Sequence, residues 1–317
     1  MDQTGTPDAG SPTVEVLRYT FLSLALAVAS LLLLPFYGLA LVVLPLPALV
    51  ATMRYGAWAG VIVAVAAALP VTALAGPGLG VAVALIVLAL GVGQALLTAA
   101  GVHAGRMLTF CIAVFVAAAC AAAASAFVSG AITAAELAKA SQLFQAEFAR
   151  YAGGSAAQTA RAAKELGDAY IYLLPSGLIV LCLATGLANF LVSQVLLQRR
   201  SLPSAALARF SEWQIPWYLA WGFLVGLACA VGYRYLAPAH RQPALYAGLN
   251  LIVIFGTLYM VQGLAIVFSL FDRFKLAPPV RGVLLVLAAF LQLFVQALTW
   301  LGLFDTWFDY RKLNKEE

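Results

Sequence analysis

Long apolar stretches separated by short polar ones are the feature of this sequence that most restricts its fold. About nine can be outlined, and most are near the roughly 20 residues that a helix needs to cross a bilayer. They cover about 17–34, 36–52, 57–74, 79–101, 107–130, 169–198, 217–236, 244–271 and 280–303. Hydrophobic residues make up 64% of the chain and charged residues 10%, far from the composition of a soluble domain. We therefore predict an all-α, polytopic transmembrane helix bundle with about eight or nine spans, embedded in the lipid bilayer.

The predicted spans divide the chain into five parts. These are a disordered polar N-terminal tail (1–16), N-terminal membrane helices (17–130), an extramembrane segment (131–168), C-terminal membrane helices (169–303) and a polar C-terminal tail (304–317). The weakest span is 36–52, which Pro45 and Pro47 interrupt. It is a short full helix, a re-entrant segment or a bent continuation of the first span, since irregular backbone at membrane depth requires protein or a watery cavity around it.

The extramembrane segment carries two helix-start patterns. Thr133 with Glu136, and Ser155 with Gln158, have the spacing of a capping box. The pair Gly153-Gly154 between them predicts a break, so we expect two amphipathic helices, the second ending near residue 166. They form either a connector in the membrane interface or a lid over a cavity.

The distribution of basic residues predicts a cytoplasmic N-terminus, because Lys and Arg collect in cytoplasmic loops. That orientation puts the following residues inside: Arg54, Arg106, Arg199, Arg200, Arg209, Arg273, Lys275 and Arg281. Only Arg234 and Arg241 fall in short outside loops. Three basic residues do not fit this orientation, because nine full spans would place them outside. They are Arg311, Lys312 and Lys315.

Several classes of function are disfavoured by what the sequence lacks. No Asp, Glu, Lys, Arg or His lies near the middle of a predicted span, as a proton relay requires, and no ATP-binding or hydrolase motif occurs. His103 and His240 are isolated, and the four cysteines have no metal-ligand spacing. We expect no enzyme activity, no metal site and no cofactor. The scattered basic residues form no stripe that would bind nucleic acid.

Neutral polar residues recur inside the predicted spans. Thr185, Asn189 and Ser193 are four residues apart and share one helix face, with Gln194 beside them, and Gln94 lies in another span. Such groups either join helices by hydrogen bonds or orient a small uncharged or zwitterionic ligand in an apolar pocket. The candidate pocket-lining residues are Thr185, Asn189, Ser193, Asn250, Tyr259, Gln262, Gln292 and Gln296.

Three segments of the C-terminal half resemble the YybS-like family of bacterial integral membrane proteins. They are Phe-Ser-Glu-Trp-Gln-Ile-Pro at 210–216, Gln-Gly at 262–263, and Gly-Leu-Phe-Asp-Thr-Trp-Phe-Asp-Tyr-Arg at 302–311. The helix layout matches that family over nearly the whole chain. The resemblance implies a multi-pass protein of the bacterial cytoplasmic (inner) membrane.

The N-terminal half is distantly similar to the substrate-binding subunits of energy-coupling-factor transporters. The similarity lies in the Ala-rich first span and in the run from Leu-Pro-Leu-Pro at 44–47 to Gly-Ala-Trp-Ala-Gly at 56–60. Those subunits bind a vitamin or a metal and dock on a separate ATPase module through small residues of their first helix. The resemblance implies that Ala25 and Ala29 form such a docking face.

Two hypotheses about function follow. The first is a component that binds or transports a small molecule and depends on another protein for energy. The second is a scaffold or assembly protein that contacts other membrane proteins, because faces of small residues let helices approach closely.

Overall fold

The computed structural model describes residues 11–32, 37–130, 133–151, 156–205 and 208–311. Every regular element in these ranges is a helix, and no strand occurs among them. The predicted all-α class is therefore confirmed. Parts of some predicted features lie outside the described residues. These are residues 1–10 of the N-terminal tail, the pair Gly153-Gly154, Ser155 and residues 312–317.

The helices are α1 (Pro12–Leu32), α2 (Tyr37–Val43), α3 (Leu46–Tyr55), α4 (Ala57–Ala75), α5 (Pro77–Val87), a π-helix (Leu88–Gly93), α6 (Gln94–Ala99), α7 (Ala104–Val128), α8 (Ala134–Tyr151), α9 (Ala156–Arg199), α10 (Ala220–Gly232), α11 (Pro238–Arg273), α12 (Pro278–Val295) and α13 (Ala297–Phe308). Helix α1 begins at Pro12, so part of the predicted tail is helical. Helix α13 likewise extends into the predicted C-terminal tail.

Among the described residues, seven helices are long and apolar enough to cross a membrane. The predicted count of eight or nine included stretches that fold as shorter helices. Residues 36–52 hold α2 and α3, which meet at a turn over Leu44 and Pro45. Residues 217–236 hold α10, only 13 residues long, with a 3-10 turn at each end.

The segment 131–168 is also organised differently from the prediction. Thr133 does start a helix, because its Oγ1 accepts a hydrogen bond of 3.2 Å from the Glu136 N–H. The second helix does not end near residue 166. It is the first part of α9, which has 44 residues in total and ends at Arg199. The helix continues because the sequence between 156 and 199 contains no strong break apart from Pro175.

The chain forms two compact units. The first comprises residues Met1–Ala126 and Leu181–Leu207, and the second Phe127–Val180 and Ala208–Glu317.

Helix α4 is central to the first unit. Gly56 and Gly76, with φ of +91° and +96°, form the turns on either side of it, and only glycine adopts such φ values without strain. Gly60 of α4 faces Thr52 of α3, and Gly80 of α5 faces Thr72 of α4, so close that neither glycine has room for a side chain. Both glycines therefore allow close packing between neighbouring helices.

Helix α11 is central to the second unit. Gly222 and Gly226 of α10 pack on Phe255 and Leu251, an order that makes α10 antiparallel to α11. Helix α13 runs parallel to α11. Thr299 reaches Gly256 and Asp305 reaches Gln262, and each pair is 43 residues apart in sequence.

Candidate functional site

A cluster of buried polar side chains lies inside the first unit. Asn189 and Ser193 of α9 and Gln94 of α6 have no exposed surface. Ser193 Oγ lies 3.2 Å from Gln94 Oε1 and also contacts the Asn189 carbonyl. The Asn189 Nδ2 donates to the carbonyl of Val42 at 2.8 Å. The structure therefore brings two of the predicted residues together with Gln94, whereas Thr185 is buried one turn earlier on α9.

This cluster leaves hydrogen-bonding capacity unused. Gln94 Nε2 and Asn189 Oδ1 are buried without a protein partner. Gln194, the next residue of α9 after Ser193, also has a buried Nε2 without a partner, while its Oε1 accepts from the Ala205 N–H at 2.8 Å. Ser193 carries one hydroxyl proton, so one end of the Gln94 amide stays unpaired whichever way that amide is turned. A buried unpaired polar group costs about 1–3 kcal/mol. Such atoms are normally satisfied by ordered water or by a ligand.

The backbone around the cluster is irregular. Gln94 directly follows the π-helix, a form that is rare and frequently found at functional sites. Gly91 of that helix packs on Ala48 and on the carbonyl of Pro45, next to the turn between α2 and α3. The predicted interruption in 36–52 is thus a broken helix whose last α2 turn presents the Val42 carbonyl to Asn189.

An apolar cavity of about 410 Å³ occupies the same unit. Helix α2 takes part in both features, since Ala40 and Leu41 line the cavity while Val42 pairs with Asn189. Leu44, in the turn after α2, also lines the cavity. Helices α1, α4 and α5 supply the rest of the wall: Ser30, Leu31, Val71, Ala75, Leu79 and Val83. A cavity of this size is in the range of small-molecule sites, which combine apolar walls with a few polar groups.

In the second unit, the amide of Asn250 bonds backbone groups of α9 near Pro175. Pro175 inside α9 lacks the N–H that would continue the helical bonds. Asn250 Oδ1 accepts from the Ser176 N–H at 2.9 Å, and its Nδ2 donates to the Tyr172 carbonyl at 2.8 Å. The Asn250 amide also donates to the Tyr246 carbonyl at 2.8 Å, so these three bonds all go to backbone groups, as expected of a residue that joins helices.

Gln262 belongs to a buried ion-pair cluster. Its Nε2 donates to Asp305 Oδ2 at 3.1 Å, and its Oε1 accepts from the Ile215 N–H at 3.0 Å. Arg311 Nη2 lies 2.8 Å from the same Asp305 oxygen, and both charged side chains are almost fully buried. The Arg311 Nη1 donates to the carbonyls of Ser211 and Trp213. The three segments that carry the YybS-like resemblance therefore meet at this cluster.

Sequence reasoning missed this ion pair. Asp305 and Arg311 fall in the predicted polar tail, where charged residues are normally solvated. The available signal in the sequence was their spacing. A carboxylate near the end of a helix is followed six residues later by a guanidinium beyond that end. The pair is satisfied on all sides because Asp305 Oδ1 also accepts from the Tyr310 N–H at 3.0 Å.

The other predicted polar residues of this unit have separate roles. Gln292 bonds the start of α13, accepting from the N–H groups of Leu298 and Thr299 at 3.0 and 3.2 Å. Gln296, in the left-handed conformation, separates α12 from α13, and its side chain is exposed. Tyr259 is fully buried between α11 and α13. Within this unit, Asn250, Gln262 and Gln292 therefore hold helices together.

The predicted docking face lies on α1. Ser23, Ala27 and Ser30 point into the first unit and are buried. Ala25 is exposed and Ala29 is half-buried, which leaves this side of the helix accessible. Among the described residues, no group of three or more His, Cys, Asp or Glu side chains could hold a metal ion.

The sequence matches a recognised family over most of its length. Residues 21–306 correspond to the family described as Predicted membrane protein (DUF2232). The chain belongs to this family. With seven long apolar helices in the part of the chain that the structure describes, this DUF2232 protein is a multi-pass membrane protein, as the composition predicted. No curated protein and no solved structure matches this DUF2232 chain.

Proposed function

We propose that this protein binds a small, uncharged or zwitterionic molecule in its first unit, as a transport component that draws its energy from another protein. The observation that carries the proposal is the set of unpaired amide atoms on Gln94, Asn189 and Gln194. Two of these atoms are donors and one is an acceptor, so a ligand with two acceptors and one donor would satisfy them. Such a ligand would recover the free energy that burial without a partner costs.

Three further features support this proposal. A cavity of about 410 Å³ with almost wholly apolar walls lies in the same unit, and α2 joins it to the polar cluster, whose amides are not part of its lining. A ligand that extended into this cavity would be mostly apolar with few polar groups. The π-helix before Gln94 and the break between α2 and α3 place irregular backbone beside the cluster. The distant similarity to energy-coupling-factor subunits gives a matching role for Ala25, on the accessible side of α1.

The test is ligand-dependent stabilisation of the purified protein. We expect small molecules that co-purify in mild detergent, or members of a vitamin and metabolite panel, to raise the thermal unfolding temperature. A ligand at 100 times its Kd stabilises the folded state by about 2.7 kcal/mol. In Asn189→Leu this stabilisation should disappear, because the variant removes an unpaired acceptor from the cluster.

Gln262→Leu is the matched control. It makes the same amide-to-leucine change at a buried position, but the Gln262 amide is fully paired with Ile215 and Asp305. We expect it to lower stability and to leave the ligand-induced shift intact. Loss of the shift in both variants, or no ligand for the wild type, would contradict the proposal.

The scaffold function is the second candidate. It is favoured by α12, which has no buried residue, and by the accessible side of α1, since both could contact other membrane proteins. A stable protein partner in pull-down, combined with no small-molecule stabilisation, would support it. The transport proposal makes a different prediction for α1. If a separate ATPase module supplies the energy, replacing the exposed Ala25 with tryptophan (Ala25→Trp) should block association with that module.

A further inference from the structure

We infer that α12 and α13 form a re-entrant helical pair, which enters and leaves the bilayer on the same side. The predicted span 280–303 then does not cross the membrane. This inference concerns the path of the chain in the second unit and is independent of the proposed ligand.

The contacts with α11 show where each helix begins and ends. Helix α12 starts beside the C-terminal end of α11, where Arg281 Nη2 donates to the Phe271 carbonyl at 3.4 Å. Helix α12 ends at Val295, and Gln292 in its last turn donates to Thr299 near the start of α13. Thr299 in turn reaches the carbonyl of Gly256 in α11. From there α13 runs parallel to α11 until Asp305 meets Gln262. Helix α12 therefore runs antiparallel to α11, from the C-terminal end of α11 towards its middle. Helix α13 then runs in the opposite direction, parallel to α11.

The turn between the two helices lies near the middle of α11. Helix α11 has 36 residues, and at 1.5 Å per residue Gly256 is about 27 Å from Pro238. Helix α10 continues past this level, since Gly248 packs on Cys229 and Ala230. The whole of α11 is about 54 Å long at this rise, so the α12–α13 turn lies about midway along α11 and far from the end at which α11 begins.

Gln292 makes such a turn possible inside a bilayer. Backbone polar groups in hydrocarbon must be satisfied by the protein, and the first N–H groups of a helix have no partner within it. The Gln292 Oε1 accepts from the N–H groups of Leu298 and Thr299, and its carbonyl accepts from Gln296. The exposed apolar side chains of α12 suit contact with lipid.

The basic residues agree with this path. Arg273, Lys275 and Arg281 lie at the C-terminal end of α11. Arg311 donates to the carbonyl of Ser211, and the neighbouring Phe210 packs on Phe268 near the same end of α11. Arg234 and Arg241 lie at the opposite end. The basic residues after α13, which contradict the positive-inside pattern if 280–303 crosses, then fall on the same side as the other basic loops.

Cysteine labelling tests the inference. Cys111, Cys120, Cys182 and Cys229 are replaced by alanine, and single cysteines are introduced as Lys275→Cys, His240→Cys and Lys315→Cys. A membrane-impermeant maleimide is applied to intact cells and to inside-out vesicles. We expect Lys275→Cys and Lys315→Cys to label in the same preparation, and His240→Cys in the other.

Labelling after detergent solubilisation is the control for the reactivity of each cysteine. The inference is overturned if Lys315→Cys labels together with His240→Cys, because α12 and α13 would then cross the membrane once. This result would leave ligand binding by the first unit unaffected, so the two proposals fail separately.

Discussion

At the scale of single residues, this protein uses its few buried polar groups in two different ways. In the second unit, Gln262, Asp305 and Arg311 complete one another's hydrogen bonds. In the first unit, Gln94 and Asn189 keep unpaired atoms. Satisfied groups stabilise a single arrangement of helices, whereas unpaired ones are available to bind something else.

The buried ion pair gives a prediction at this scale. Asp305→Asn should destabilise the protein by about 3–5 kcal/mol, because it leaves the Arg311 guanidinium buried without its counter-ion. The double variant Asp305→Leu with Arg311→Met should be more stable than Asp305→Asn, since no charge is left buried. Thermal unfolding in detergent measures both. Equal loss in the single and double variants would show that the charges do not compensate each other.

At the scale of helices, close packing between α11 and α13 depends on two glycines. Gly302 has the Tyr259 carbonyl in the space of a side chain, and Gly263 has the Leu298 carbonyl there. Backbone cannot move aside as a flexible side chain can. These two positions therefore fix how near α13 approaches α11, and hence the distance over which Gln262 meets Asp305.

Gly302→Ala should consequently separate the two helices and destabilise the second unit by roughly 1–3 kcal/mol, the usual range for overpacking. Gly282→Ala in α12 is the matched control, because nothing lies within 4 Å of that position. It should be neutral or slightly stabilising, since alanine favours helix over glycine. The comparison uses unfolding temperatures in the same detergent. Similar effects of the two substitutions would contradict the packing described for α13.

At the scale of the whole molecule, apolar side chains cover much of the surface. Leu293 is 81% exposed, and Val286 and Phe294 are each 71% exposed. Helices of this kind are stable only where lipid surrounds them. We expect the protein to stay in the membrane pellet after alkaline carbonate washing and to enter solution only with detergent. Recovery of folded, monodisperse protein from a detergent-free supernatant would refute membrane embedding.

How much could be predicted from the sequence depends on whether a property is local. Apolar runs define helices locally, so the all-α class is correct and most of the predicted apolar stretches contain a helix long enough to cross a membrane. The break at Gln296 and the length of α9 depend on partners far along the chain. Gln292 must bond the start of α13, and Asn250 must support the helix at Pro175.

The same distinction applies to the candidate site. The residue types were predictable, because amides and hydroxyls inside apolar helices stand out in the sequence. Their partners were not, since Asn189 finds the Val42 carbonyl 147 positions away. Asp305 was overlooked because burial of a charge cannot be inferred from its neighbours in the chain.

The support that Asn250 gives to α9 has a consequence for biosynthesis. The Ser176 N–H and its acceptor Asn250 are 74 residues apart, so translation must proceed through α10 and into α11 before the two can meet. During that interval the stretch around Pro175 would be held by the insertion machinery or by water rather than by its final neighbour. Membrane integration of α9 is thus expected to finish late, together with α11, instead of helix by helix.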